Sequence, residues 1–303
     1  MRQAFSVTSA HWKTPLARLL LVCSLLFLCG CAWLDGKQRQ IIYRPTPGVP
    51  VGFAGLHTGD ERYFVRVLTS SDNSVATAQR IELWWLPHAD KNAPTLLYFH
   101  GTFRSLFQNM RKIEALREAG FAVLAVDYRG WGLSTPITPS EQTILQDADA
   151  AWAELVRREP RAEQRVIYGH SMGSGVAVDL ASRLQPRLNY AALILESAFT
   201  SFTDVAREAG LVAQVLSHLS SERFASIEKI ARVQAPLLMI HGSADSTIPV
   251  RLGEALFAAA NHPKQWLNIE GGAHSDLDLA GHAQYQATLH RFIEEYLSAI
   301  QVP

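Results

Sequence analysis

Cysteine is nearly missing from this chain: its 303 residues include three, Cys23, Cys29 and Cys31, and none follows Cys31. No disulfide can staple the body, so its own core must hold it, and an oxidising compartment is tolerated without being exploited. Net charge is missing too, with 28 basic against 28 acidic residues. A nucleic-acid binder needs a basic excess, so nucleic acid is not expected as a partner. There is no His-Glu-x-x-His, no phosphate loop and no dinucleotide glycine motif. Neither a metal nor a nucleotide cofactor is therefore indicated. The apolar run from Leu19 to Gly30 is about a dozen residues, short of the roughly 20 that a helix needs to cross a bilayer. Internal repeats, low-complexity tracts and a second-domain linker are also absent. What remains, 48% hydrophobic and 18% charged, describes a globular chain rather than a disordered or polytopic one.

The amino terminus departs from the charge balance. Arg2, Lys13 and Arg18 precede the Leu19–Gly30 run and no acidic residue accompanies them. A basic start, a short apolar core and small residues at its end make an export signal over residues 1–30. Leu28-Cys29-Gly30-Cys31 resembles the bacterial lipoprotein signal, which implies cleavage before Cys31 and lipid modification of that cysteine. Several acyl chains on one residue hold a protein to a membrane far more firmly than one. The expected placement is the bacterial cell envelope, lipid-anchored at the periplasmic face of the outer membrane. Residues 31–40 then serve as a tether that reaches at most roughly 35 Å fully extended.

The body, 41–303, opens with short β-like runs at Ile41–Tyr43, Val51–Leu56, Tyr63–Leu68 and Ile81–Leu86, which read as antiparallel hairpins. After Pro94 the pattern changes to continuous apolar runs starting at Leu96, Phe121, Val166, Ala191, Pro236 and Trp266. Strands of that kind are buried on both faces, as parallel strands are. Between them lie helical periods, such as Ile144, Ala148, Ala151, Trp152 and Leu155, or Tyr285, Leu289, Phe292, Ile293 and Tyr296. The alternation predicts an α/β layer fold whose mostly parallel sheet gathers its ligands at the strand carboxyl ends. Residues 197–234 break the rhythm with two or three helical pieces. There the apolar stripe Leu211, Val212, Val215, Leu216 and Leu219 is expected to pack on the sheet, the alternative being a lid over an acyl group.

Arg165 to Val178 is the stretch that carries chemistry: a short apolar strand turns through Gly169-His170-Ser171-Met172-Gly173 into a small-residue helix. Glycines two residues either side allow a turn so sharp that the Ser171 hydroxyl stands clear of the sheet. The same turn puts the Met172 N–H at a helix start, where unpaired donors can hold an oxygen that is gaining negative charge. A serine nucleophile needs a base, and the base an orienting acid. His274, in Gly271-Gly272-Ala273-His274, and Asp245, in the loop after Ile240, each follow a strand and stand in the order Ser, Asp, His. Asp276 and Glu196 are fallback acids held to be structural. A second oxyanion donor is expected from the Thr102 N–H after His100-Gly101, while Asp127 to Ser134 reads as a structural turn.

Taken together, His-Gly at 100, Asp-Tyr-Arg-Gly-x-Gly-x-Ser at 127, Gly-His-Ser-Met-Gly at 169, Glu-Ser-Ala-Phe-Thr-Ser at 196, the Asp245 loop and Gly-Gly-Ala-His at 271 resemble the α/β-hydrolase superfamily. The likeness runs from about Leu83 to Leu297 and is strongest to α/β-hydrolase-domain proteins that include protein depalmitoylases, and to serine aminopeptidase-like esterases. It implies an α/β-hydrolase fold with helices on both faces and a short helical cap at 197–234. It also implies Ser171, His274 and Asp245 as a catalytic triad that transfers the acyl group of a small-molecule or lipid ester or thioester to water. Thr102 stands where that group usually has Asn, and Ala198 where it usually has Pro. A peptidase or acyltransferase with the same triad, and a non-catalytic envelope lipoprotein, are the rival expectations.

Overall fold

The computed structural model describes residues 15–68, 78–218 and 220–297, with side chains of the first helix described at 19, 21–24, 30 and from 33 onward. Residues 1–14 of the expected signal, the side chain of Cys31 and Leu219 lie outside the described residues. Helix α1, Pro15–Tyr43, comes first, followed by strands β1, Glu61–Arg66, β2, Arg80–Leu86, and β3, Thr95–Phe99. Then come α2, Leu106–Glu118; β4, Ala122–Asp127; α3, Glu141–Arg158; β5, Arg165–His170; and α4, Met172–Arg183. Strand β6, Ala192–Glu196, leads into two short helices, α5, Phe202–Glu208, and α6, Leu211–His218. The chain closes with β7, Leu237–Gly242; α7, Val250–Ala259; β8, Lys264–Ile269; α8, Leu277–Ala280; and α9, His282–Tyr296.

The eight strands form one sheet in the order β1-β2-β4-β3-β5-β6-β7-β8. Strand β2 runs antiparallel to β1 and β4, and all pairings from β4 through β8 are parallel. Side chains alternate across each strand, so a run buried on both faces divides between two cores. Leu97, Phe99, Leu124, Val126, Ile167, Leu193 and Met239 face α3, α4 and α7. Leu96, Tyr98, Val123, Val166, Tyr168, Ile194 and Leu238 face α2 and α9. Helix α3 starts where the Ser140 hydroxyl accepts the Thr143 N–H at 3.1 Å, and it presents Ile144, Ala148, Ala151 and Leu155 to the first core. Tyr285, Leu289 and Phe292 of α9 fill the second. This is the α/β-hydrolase fold expected from the sequence.

Two of the four early strands are not strands. Ile41–Tyr43 is the last turn of α1. Helical winding places the Tyr43 ring in the first core against Trp131, Phe202 and Phe224, which a three-residue strand would not reach. Val51–Leu56 runs as turn and coil because Gly52 and Gly55 both take positive φ, 86° and 95°, which breaks an extended ladder. The runs at Tyr63–Leu68 and Ile81–Leu86 do fall on the β1–β2 antiparallel pair, with β1 starting earlier, at Glu61, and ending at Arg66. Trp131 is fully buried, in keeping with a structural turn.

The interval after β6 holds α5, α6 and two single 3-10 turns at Ser226–Glu228 and Ile230–Arg232. Ser201 starts α5 by accepting the Asp204 N–H at 3.1 Å. The expected packing of the Leu211 stripe on the sheet does not occur: Leu211, Val212, Val215 and Leu216 are all exposed, and α6 has no buried residue. Eight residues make a helix of roughly 12 Å, and this one faces the protein with Ala213, Gln214 and Ser217, which are half-buried.

Candidate active site

Strand β5 stops at His170 and α4 starts at Met172, so Ser171 alone makes the connection. Its backbone sits at φ 54° and ψ −124°, a left-handed conformation that costs a non-glycine residue about 1–3 kcal/mol. Steric crowding shows why the flanking residues are glycine. A Cβ on Gly169 would overlap the Gly173 carbonyl, and one on Gly173 would overlap the Phe99 carbonyl of β3. The Ser171 N–H donates to the Glu196 carbonyl at 2.9 Å, which ties the turn to β6.

Two other loops meet Ser171 at this edge. The Ser171 hydroxyl donates to His274 Nε2 at 2.9 Å, and His274 Nδ1–H donates to Asp245 Oδ2 at 2.8 Å. Asp245 is further held by the N–H groups of Thr247 and Ile248, at 2.9 and 2.8 Å on Oδ1. His241 Nε2 stands 3.5 Å from Asp245 Oδ2. Burial by itself would raise the Asp245 pKa. The nearby His241 ring and the hydrogen bonds from His274 and the Ile248 N–H overcome it and hold the carboxyl well below the usual range. Asp245 therefore stays ionised and acts on the imidazole as an acceptor.

The His274 loop is set by its own contacts. Asp276 accepts the Ala273 N–H at 2.7 Å, a structural role that caps the loop. The His274 carbonyl accepts two donors, His170 Nε2–H at 2.9 Å and the Ser197 hydroxyl at 3.1 Å. His170 is held down to about 3 by burial and the charge of Lys112, so it is a neutral donor at ordinary pH. Lys112 itself pairs with Glu196. Burial would raise Glu196, but the Lys112 ammonium and the hydrogen bond from Tyr168 bring it down to about 2. Glu196 takes further bonds from the hydroxyls of Tyr168 and Tyr285 at 2.6 and 3.0 Å. It is a structural ion under the site and does not touch His274.

Gly101 brings the loop after β3 against Ser171, where a Cβ would lie 3.0 Å from Ser171 Cβ. Thr102 follows it and lines the narrow cleft beside Ser171, together with Phe103, Arg104, Asn109, His170, His274 and Ser275. The free space is about 10 Å³, room for one water. Phe103 has φ 48° and donates its N–H to the Tyr43 carbonyl at 3.0 Å, so the end of α1 braces this loop. Met172 is the first residue of α4, which leaves its N–H without an intrahelical acceptor. A wider surface groove of about 600 Å³ has Arg111, Glu114, Arg117, Glu118, Asp278 and His282 on its walls but none of these residues. Those charges pair with one another.

The structure thus brings together Ser171 with the Met172 backbone, His274, Asp245 and Thr102 from four separate stretches. Sequence reasoning did not find His170, Ser197, His241 or the Tyr43 carbonyl. Only the adjacency of His170 to Ser171 was visible, and nothing in it shows that the ring reaches another loop.

Such a sheet, with a positive-φ serine at the strand-to-helix turn, defines the class: an α/β-hydrolase. The family model described as serine aminopeptidase, S33, matches residues 90–226. An uncharacterized protein of Mycobacterium tuberculosis is 34% identical over 265 residues, covering 86% of this chain and 88% of that protein. The α/β-hydrolase domain-containing protein 17C of Mus musculus is 31% identical over 258 residues, covering 82% of this chain and 77% of its own length. Among solved structures, the Pyrococcus furiosus esterase has the same fold, with TM-score 0.64 and 19% identity over 84% of this chain and 99% of that one. The chain belongs to the α/β-hydrolase family, and its relatives support an α/β-hydrolase enzyme.

Proposed function

We propose that this protein is a membrane-tethered serine hydrolase that cleaves carboxylic ester or thioester bonds through Ser171, His274 and Asp245. The observation that carries the reading is the unbroken row of hydrogen bonds, 2.9 Å from Ser171 to His274 and 2.8 Å from His274 to Asp245. His274 Nε2 takes the hydroxyl proton as Ser171 Oγ attacks the acyl carbon, and the ionised Asp245 stabilises the imidazolium that results. The Met172 and Thr102 N–H groups receive the developing oxyanion, each worth about 3 kcal/mol of barrier. The imidazolium then gives its proton to the leaving oxygen or sulfur. The acyl-enzyme is released by water activated on the same nitrogen, which restores Ser171 and yields the acid.

A lipid on Cys31 would hold the enzyme at the bacterial envelope, at the periplasmic face of the outer membrane. Among the described residues no helix is long and apolar enough to cross a membrane. A fluorophosphonate probe is expected to label the wild type and not Ser171→Ala; equal labelling of both overturns the assignment. The serine aminopeptidase match favours one second reading, a peptidase with the same triad. Turnover of aminoacyl anilides in preference to p-nitrophenyl esters would select it.

A further inference from the structure

Helix α6 is amphipathic in the wrong sense for a soluble surface. Leu211 and Val212 are each 76% exposed, Val215 55% and Leu216 44%. These four share one face by helical spacing. The half-buried positions, turned toward the protein, include the polar Gln214 and Ser217. Contiguous apolar surface of this kind marks a site of contact.

What covers it is indicated by α1. Gln38 Nε2–H donates to the Leu216 carbonyl at 2.7 Å, satisfying one of the acceptors that a helix leaves open at its end. Arg39 pairs with Glu222 at 3.0 Å, and Tyr43 donates to the same carboxylate. These three side chains fasten the last turns of α1 to the segment carrying α6. Going back along α1, Cys31 lies seven residues before Gln38, roughly 10 Å at helical rise. Between them stand Leu34, which shares a face with Gln38, and Trp33, which is 66% exposed. Tryptophan concentrates at membrane–water boundaries.

We infer that α6 and the exposed Trp33 and Leu34 of α1 form one bilayer-docking face, with Leu211, Val212, Val215 and Leu216 entering the acyl boundary of the membrane. This deepens the tethered-hydrolase reading and rests on α1 being the membrane end of the chain. The tether is then a docked helix, and the molecule lies on the membrane in one orientation. Interfacial helices of this sort seat their apolar side about 5–10 Å into the headgroup region.

The test uses the full chain with a photoreactive benzoylphenylalanine in place of Val212, reconstituted into phosphatidylethanolamine–phosphatidylglycerol vesicles, floated and irradiated. A second variant carries the same group at Leu188, also exposed but in the turn before β6, at the sheet end away from Ser171. We expect lipid adducts at position 212 to exceed those at 188 by ~10-fold, as an inserted side chain requires. Equal adduct yields in floated protein overturn the inference, and so does a 212 adduct of twice the protein mass, which makes the stripe a contact between copies. Protein that fails to float overturns it through the anchor rather than through α6. Lipid capture needs no turnover, so a failure of the hydrolase chemistry would show separately, as absent fluorophosphonate labelling.

Discussion

The carboxyl edge of the parallel sheet and the cap after β6 are neighbours in the chain, yet they are built on opposite terms. At the edge, Gly169, Gly173 and Gly101 sit where an added methyl group meets backbone or the nucleophile itself. Ser171 is held at positive φ, and the carbonyl of His274 is gripped from two sides. In the cap, Gly210 before α6 has open space around it, and no side chain of α6 is buried. The edge tolerates almost no change because its parts are fixed by backbone-to-backbone contact. Helix α6 can drift, because none of its side chains is buried, whereas Phe199 and Phe224 on either side of it belong to the core.

The comparison is broken most severely at the reacting atoms. Ser171→Ala or His274→Ala should each lower ester hydrolysis by at least ~10⁴-fold, measured as kcat/KM on a soluble ester. The unfolding temperature should stay near wild type, since neither change opens a core cavity. One layer deeper, Gly173→Ala forces a methyl group onto the β3 backbone and should destabilise the fold by about 3 kcal/mol in denaturant unfolding. A loss below about 0.5 kcal/mol there would show that the edge is more compliant than its geometry indicates.

Below the site, Glu196→Gln removes the principal partner of buried Lys112, which keeps only Asp278 at 3.4 Å. Breaking such a pair should cost about 3 kcal/mol near neutral pH. The sign with pH follows from the Glu196 pKa, down from 4.5 to about 2 in the folded chain. The contribution of the ionised carboxylate is complete above 4.5 and is lost as the pH falls toward 2. The gap between wild type and variant should therefore narrow across that range, as read from unfolding curves at several pH values. At the small end, replacing Val212 and Val215 by Ser should shift stability by less than about 0.5 kcal/mol. A larger loss would mean that α6 packs more tightly than its exposure shows.

Much of this was legible before any coordinates. Runs such as Phe121–Val126 and Ala191–Leu195 are apolar at consecutive positions, and only a strand covered on both faces uses such a pattern. Once the strands are placed, Ser171, Asp245 and His274 fall at their carboxyl ends, so convergence follows from the parallel order. The early elements were not legible, because Ile41–Tyr43 is too short to show a period and Val51–Leu56 carries the right residues interrupted by two glycines. The α6 stripe read as core for a related reason: a period tells which residues share a face and says nothing of where that face points.

The amino-acid order alone determined the layered sheet, the sharp turn at Ser171 and the identities of its partners, because those depend on local periodicity, glycine sterics and position after a strand. Tertiary structure decided the rest. It turned the polar side of α6 inward, put the ring of His170 under the carbonyl of His274, and braced the Phe103 loop on the end of α1. Each of these joins segments at least 60 residues apart or sets a face against a neighbour, and no local rule of propensity or spacing carries information over that distance.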